Sequence, residues 1–506
     1  MISAQSRTKG TLSRVFWVLF SLSFLVILLN IFFNRRANDY IAAVLIPLSL
    51  TALVVTVAFY RLCKRHEGFL SRNSVILAVL AAVFLMTVQV TMVSLLRFDP
   101  IYDLEAIYQN GILWATEGDF GAYSSNTCHV DYFYFYPNNL GATAFLALLF
   151  KIASLVGVTD YFLVASIANA LMIVGTMLLT SYCCRCLYGT AAAVTAFFVF
   201  LISPPFYFMA PVFYTDSLSI IFPIATFALF LRSQKAVTAW GRWGFAVASV
   251  LVCGIGVLLK ATVAIVAVAI CLFLFLTRGI GRAAIYAGLA VVSIAALTLS
   301  FNALIYTNHL DREKADRLNT PIACWLCIGF GNGGRYDGSV VSLSRSVEDP
   351  GQRNEVMLEE LSKRVDAMGL KVFNHFEDKS AVSFGDGTYA LSDFLDDNPR
   401  TKGTLHTFLL YNSENYAVYN HLCTGVFVGM LLLMLASAIL SKGDLSPLVP
   451  QLSVFGLMLF LLVWETNPRY ITNYIPMILL CAVAGADRIS SLWERRSEWL
   501  KRPLRS

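Results

Sequence analysis

Runs of about 20 apolar residues recur along almost the whole of this chain, and nothing else in it constrains the fold as strongly. In a lipid environment such a run must satisfy its own backbone hydrogen bonds, which dictates an α-helix. At about 1.5 Å of rise per residue, some 20 residues cross a hydrocarbon core of about 30 Å. Thirteen candidate segments occur, from 15–33, 40–60 and 74–96 through 139–157 to 470–486. Composition agrees: 57% of the 506 residues are apolar and 14% are charged, against about 25% charged in an ordinary soluble domain. An all-α polytopic membrane protein is expected. The net charge of +6 therefore carries no nucleic-acid signal. In such a chain, basic residues report orientation.

The first run follows Arg7, Lys9 and Arg14 and ends in Asn-Arg-Arg-Ala-Asn without a small-residue cleavage site, which predicts a retained helix rather than a signal peptide. Charge decides how the rest thread. Suppose that 139–157 dips in or lies flat while the other twelve segments cross in alternation. Twenty basic residues then fall in short cytoplasmic stretches and five in short outer ones, as the positive-inside rule requires. A full crossing by 139–157 would turn the basic stretches 232–242 and 278–282 outward. The expectation is about 12 transmembrane helices plus one juxtamembrane or re-entrant helix, with both termini cytoplasmic. The divisions are an N-terminal membrane module, 1–305, with a first outer loop at 97–138; an extracytoplasmic domain, 306–421; C-terminal membrane helices, 422–487; and a basic cytoplasmic tail, 488–506. Alternation in Ser-Val-Val-Ser-Leu-Ser and Ala-Val-Ser-Phe predicts some strand in 306–421, hence a small α+β domain.

Polar chemistry gathers at the predicted outer rim. The loop after the third segment carries Asp99, Asp103, Glu105, Glu117, Asp119 and Asp131. A partly desolvated carboxylate at Asp103 can serve as a general base; it can equally cap the amphipathic run directly after it. Tyr132 and Tyr134 read as an interfacial aromatic belt. Asn138 and Asn139, after Tyr136 and a proline, open a helix and suit a sugar hydroxyl or a phosphate oxygen. His129 reads as a surface residue rather than a metal ligand. Asp216 sits at an outer helix end, as cap or site residue. Lys260 lies between two apolar runs, a costly position unless it faces an anion or snorkels. Glu465 and Arg469 form either a rim salt bridge or, through the arginine, a phosphate-binding fork. Cys324 and Cys327 lack the second pair that zinc would need, leaving a local disulfide as one alternative.

Taken together, these residues resemble the GT-C superfamily of membrane glycosyltransferases, which includes protein O-mannosyltransferases and aminoarabinose transferases of lipid A. The resemblance rests on order along most of the chain. An acid near the start of the first outer loop matches Asp103 in Tyr-Asp-Leu-Glu-Ala-Ile-Tyr, with Glu105 and Asp99 competing. A Pro-containing stretch matches Tyr-Pro-Asn-Asn-Leu-Gly at 136–141, an outer Asp matches Asp216, and a last outer loop matches Arg469 and Tyr470. The stretches 321–336 and 379–389 also resemble segments of bacterial members. One departure is that two helices precede the acid-bearing loop where many relatives have one.

The resemblance implies transfer of a sugar from a polyprenyl-phosphate-linked donor to an envelope acceptor (glycan, lipid or protein) at the outer face of the cell membrane. The implied mechanism is a single inverting displacement with Asp103 as general base. Lys260, Arg469 and Tyr470 would meet the donor phosphate. Glu105, Tyr136, Asn138, Asn139 and Asp216 would surround the acceptor or sugar. Some relatives use a divalent metal and others none, and no metal ligand is assigned. The expected partners are donor, acceptor and membrane lipid, with no nucleic acid. A lipid-carrier flippase or transporter and a non-catalytic envelope-assembly protein are the rivals. The transporter would place charges near the bilayer midplane and use paired broken helices.

Overall fold

The computed structural model describes residues 2–34, 40–396, 398–441 and 443–501. Arg35, Arg36, Lys442, Arg502 and Arg505, all among the basic residues that orient the chain by charge, lie outside the described residues. Among the described residues eleven helices are long and apolar enough to cross a membrane, and Thr190–Leu201 and Leu448–Val463 are shorter apolar helices. The protein is an integral, multi-pass, all-helical membrane protein.

Polar ties between helices sort themselves to the two ends of the bundle. At one end Tyr60 donates to Asp487 (2.5 Å), Arg185 to Ser74 Oγ (3.1 Å), and Thr190 N to Glu67 (3.1 Å). At the other end Arg97 pairs bidentately with Asp160 (2.7 and 2.6 Å), Arg400 meets Asp99 (2.8 and 2.6 Å), and Lys260 meets Asp216. The helix Tyr161–Tyr188 thus starts beside the end of Ser74–Leu95 and finishes beside its beginning. Residues 97–160 leave and re-enter the bundle at the same end, here termed the loop end.

Within that excursion, Pro137–Leu155 has the composition of a span but not the placement of one. Leu140–Leu155 lies instead along Tyr102–Glu117: Lys151 Nζ donates to Ala115 O (3.0 Å), and a Cβ on Gly111 would touch Phe150 at 3.3 Å. Among the described residues the ten remaining long helices and the two shorter apolar ones form the bundle, with this pair packed as a layer at its loop end.

The stretch 306–421 corrects one expectation: it is helical, in Arg312–Leu318, Ile322–Gly329, Gly338–Arg345, Pro350–Met368 and Val372–Gly385. No strand occurs among the described residues, only an isolated bridge between Phe98 and Pro399. The alternating Ser-Val-Val-Ser-Leu-Ser sits on a helix capped by Asp337, which accepts from Ser339 N (3.0 Å). Val340, Val341 and Ser344 are its buried face, against Cys324, Cys327, Ile328 and Met357. Ala-Val-Ser-Phe at 381–384 is buried on every residue, which no two-faced strand would be. Six residues of alternation match one turn and a half of an amphipathic helix as readily as a strand. Cys324 and Cys327 are free thiols, and the Cys327 thiol donates to Met357 O (2.9 Å).

One break in the bundle shapes the loop end. Pro204, Pro205 and Pro211 interrupt the traverse that begins with Thr190–Leu201. Inside a membrane the carbonyls so released need donors. Asn169 Nδ2 serves three of them, Met209, Ala210 and Val212 (2.9, 3.1 and 3.0 Å), and Gln89 Nε2 serves Phe206 (2.6 Å). The stabilised irregular turn presents Tyr214 and Asp216.

Candidate functional site

A cavity of about 880 Å³ opens at the loop end, walled by the juxtamembrane layer, the irregular turn, the Lys260 corner and the last loop. On one wall stands Asp103. The helix Tyr102–Glu117 enters through Tyr102 at φ +53°, a left-handed conformation costly for a bulky residue. The position before the helix is Ile101, so Asp103 is a first-turn residue and not the cap. Its carboxylate accepts from Tyr132 (2.7 Å) and Tyr214 (3.0 Å), and Tyr132 accepts in turn from Asn139 Nδ2. Tyr132 is 7% exposed, which corrects its reading as a belt residue. Burial first, and the Asp103 charge second, hold both tyrosine hydroxyls well above the ordinary phenol range. They stay protonated and donate, and Asp103 is their acceptor.

The facing wall is cationic. The break between Ala239–Leu259 and the turn at 261–263 places the Lys260 ammonium on Asp216, 4.6 Å from the Tyr470 ring centroid. Arg469 Nε lies 3.7 Å from Asp216 Oδ2, with its guanidinium over the rings of Tyr214 (5.1 Å), Tyr470 (5.5 Å) and Phe394 (5.6 Å). Of the two alternatives for Glu465 and Arg469, the rim bridge is not the one formed: Arg469 turns inward to Asp216, and Glu465 is buried at 6% exposed. Burial pushes the Glu465 carboxyl above the usual glutamate range and the Lys260 ammonium below the usual lysine range, Asp216 opposing the latter. Arg469 Nε and Asp216 Oδ2 are buried without a hydrogen-bond partner. Two cations on one wall suit an anion entering the cavity.

Tyr214 joins the walls: its hydroxyl is on Asp103 while its ring lies under Arg469. The structure thus brings Asp103, Tyr136, Asn138, Asn139, Lys260, Arg469 and Tyr470 to one cavity, with Asp216 directly behind the two cations. Glu105 is elsewhere. Two residues on from Asp103 it points about 200° around the helix, accepts from Tyr123 (2.6 Å) and Thr127, and borders a second cavity of about 620 Å³. His129 Nδ1 accepts from Asp131 N (3.0 Å), and Asp131 pairs with Lys314 (2.7 Å). The cavity carboxylates are met by tyrosines and cations, and no three potential metal ligands converge among the described residues. That donor set does not fit a divalent cation.

Among the cavity residues that escaped the sequence reading are Tyr214, Trp325, Arg345 and Trp464. The two tryptophans stack (centroids 6.2 Å, 17° between planes). Arg345 lies over Phe135 (4.1 Å) and donates to Tyr136 Oη (3.1 Å). Tyr214 and Trp464 each neighbour a predicted acid closely, in Tyr-Thr-Asp and Trp-Glu, and that adjacency was the available signal.

Fold and site together define a polytopic helical membrane protein with a buried, charge-lined cavity at one end of its bundle. The chain belongs to the family described as conserved hypothetical integral membrane protein, whose model matches residues 4–489. No curated protein matches the sequence. Among solved structures the chain is similar to ArnT from Cupriavidus metallidurans bound to undecaprenyl phosphate, at 15% identity and TM-score 0.38, covering 83% of this chain and 78% of that one. It is similar also to the apo state of that protein, at 15% identity and TM-score 0.35 over the same shares.

Proposed function

We propose that this protein is a membrane glycosyltransferase that moves a sugar from a polyprenyl-phosphate-linked donor to an envelope acceptor, with inversion. The observation that carries the reading is the pairing across Tyr214 of a carboxylate acceptor with two buried cations in one cavity. The order of motifs that resembles the GT-C superfamily supports it. Orientation follows from charge. Arg61, Lys64, Arg65, Arg185, Arg232 and Lys235 gather at the end opposite the cavity, which by the positive-inside rule faces the cytoplasm. The cavity then faces outward.

In the reaction, the Asp103 carboxylate takes the proton of an acceptor hydroxyl as its oxygen bonds to the anomeric carbon. The bond from that carbon to the phosphate oxygen breaks on the opposite face, and its electron pair leaves with the phosphate. Lys260 and Arg469 neutralise that charge as it develops. Asn138, Asn139 and Tyr136 offer amides and a hydroxyl to the sugar. The test is mass analysis of envelope glycans in a strain lacking the gene, complemented with the wild-type chain or with Asp103→Asn. A glycan mass lost on deletion should return with the wild type and not with the variant. Full restoration by a folded Asp103→Asn chain would remove Asp103 as the base.

A further inference from the structure

Lys379 is 0% exposed, and its ammonium is held by backbone carbonyls. Its Nζ donates to Gly329 O (2.6 Å) and to Trp464 O (2.7 Å). Gly329 is the last residue of the helix Ile322–Gly329, and Trp464 is the C-cap of Leu448–Val463. Two helix C-termini, each with its partial negative charge, thus meet on one ammonium.

Space for this arrangement is cleared by glycines. A Cβ on Gly329 would sit 2.3 Å from Val463 O, and one on Gly334 would sit 2.6 Å from Lys379 Cε. Gly334 O also accepts from Thr466 N (2.6 Å), and the hydroxyls of Ser383 and Thr466 pair. The stretch from Trp464 to Thr466, with Glu465 at its centre and Arg469 just beyond, is therefore tied to residues 329, 334, 379 and 383. A buried ammonium is costly to maintain without a carboxylate, and what this one holds is that stretch.

We infer that Lys379 is a positioning residue, which by joining two helix ends fixes Glu465 and Arg469 at the cavity and makes 321–336 and 379–389 structural parts of the site. Burial lowers its basicity to about 7, with Glu465 the opposing charge. His375, which shares Gly329 O (2.9 Å), and Asp378 are the other titratable groups beside it on its own helix.

The consequence for activity rests on the proposed donor site, whereas the positioning itself does not. Hydrogen–deuterium exchange on the full-length protein in micelles reads the positioning directly. Lys379→Met should speed exchange across 464–470 at least tenfold and leave the helices of the bundle as in the wild type. Binding of a short-chain polyprenyl phosphate to the same sample should weaken about tenfold. Unchanged exchange at 464–470 overturns the inference whatever the binding result. Faster local exchange with unchanged polyprenyl-phosphate binding upholds it and counts against the donor reading instead. Should the methionine variant not fold, Lys379→Gln, which keeps an N–H donor without the charge, is read the same way. Partial recovery of slow exchange in Lys379→Gln relative to Lys379→Met would further support a hydrogen-bonded tether.

Discussion

Replacing Lys260 by methionine keeps an unbranched stem of similar bulk but leaves the Asp216 carboxylate, 4% exposed, without its ammonium. Removing one partner of a buried ion pair costs about 3–5 kcal/mol, because the surviving charge is stranded away from water. Arg469 Nε at 3.7 Å supplies partial compensation, which sets the expectation at the lower end, about 3 kcal/mol. The double variant Lys260→Met/Asp216→Asn removes the stranded carboxylate but also takes Arg469's partner, so it should recover part of that loss, with a coupling energy of about 1–2 kcal/mol. Unfolding of the purified protein in micelles, followed by helical circular dichroism, measures Lys260→Met, Asp216→Asn and the double variant against the wild type. Polyprenyl-phosphate binding should be weakened in the single and the double alike, since the cation is absent from both. A Lys260→Met protein as stable as the wild type would refute the pair. A double variant no better than the single would refute the stranded charge as the cause.

Asp103→Asn should lower transfer by about 10²–10⁴-fold, the range for a lost general base, and should cost about 1–3 kcal/mol of stability, since Tyr132 and Tyr214 donate to different carboxylate oxygens and the amide keeps only one of them. Radiolabelled transfer and thermal unfolding of the same preparation separate the two effects. Asn169→Leu withdraws the donor from three buried carbonyls and should cost about 3 kcal/mol or more, at about 1–3 kcal/mol for each unsatisfied group; thermal unfolding tests it. Stability should also depend on pH through Lys379, whose ordinary value of 10.5 falls to about 7 in the folded protein. Between those values the unfolded chain binds the extra proton, so this contribution is complete above the upper value and is lost as pH falls toward the lower one. The wild-type stability minus that of Lys379→Met should rise with pH across this window; a flat or falling difference would contradict it.

The helices were legible because a bilayer leaves a long apolar run no alternative conformation, and charge placement was the one sequence signal bearing on whether 139–157 crosses. Asp103, Lys260 and Arg469 stood out because charge beside an apolar run is expensive and so draws attention. Tyr132 and Tyr214 did not, since an interfacial ring and a ring bonded to a buried carboxylate have the same local sequence. Glu105 shows the complementary limit: two residues from Asp103, it faces another cavity, and only the helix phase of Tyr102–Glu117 separates them. The strands expected near 340 and 381 failed because a few alternating residues do not reveal whether burial lies on one side or all around.

The bidentate clasp of Arg97 on Asp160 brings the two ends of a long excursion together at one point. A detour that returns to its origin leaves the parity of the thread untouched. Changes between 98 and 159 that add no crossing and keep the clasp therefore leave the sidedness of every helix downstream as it is. The protein's most elaborate segment, and the one that carries Asp103, is by this construction topologically silent.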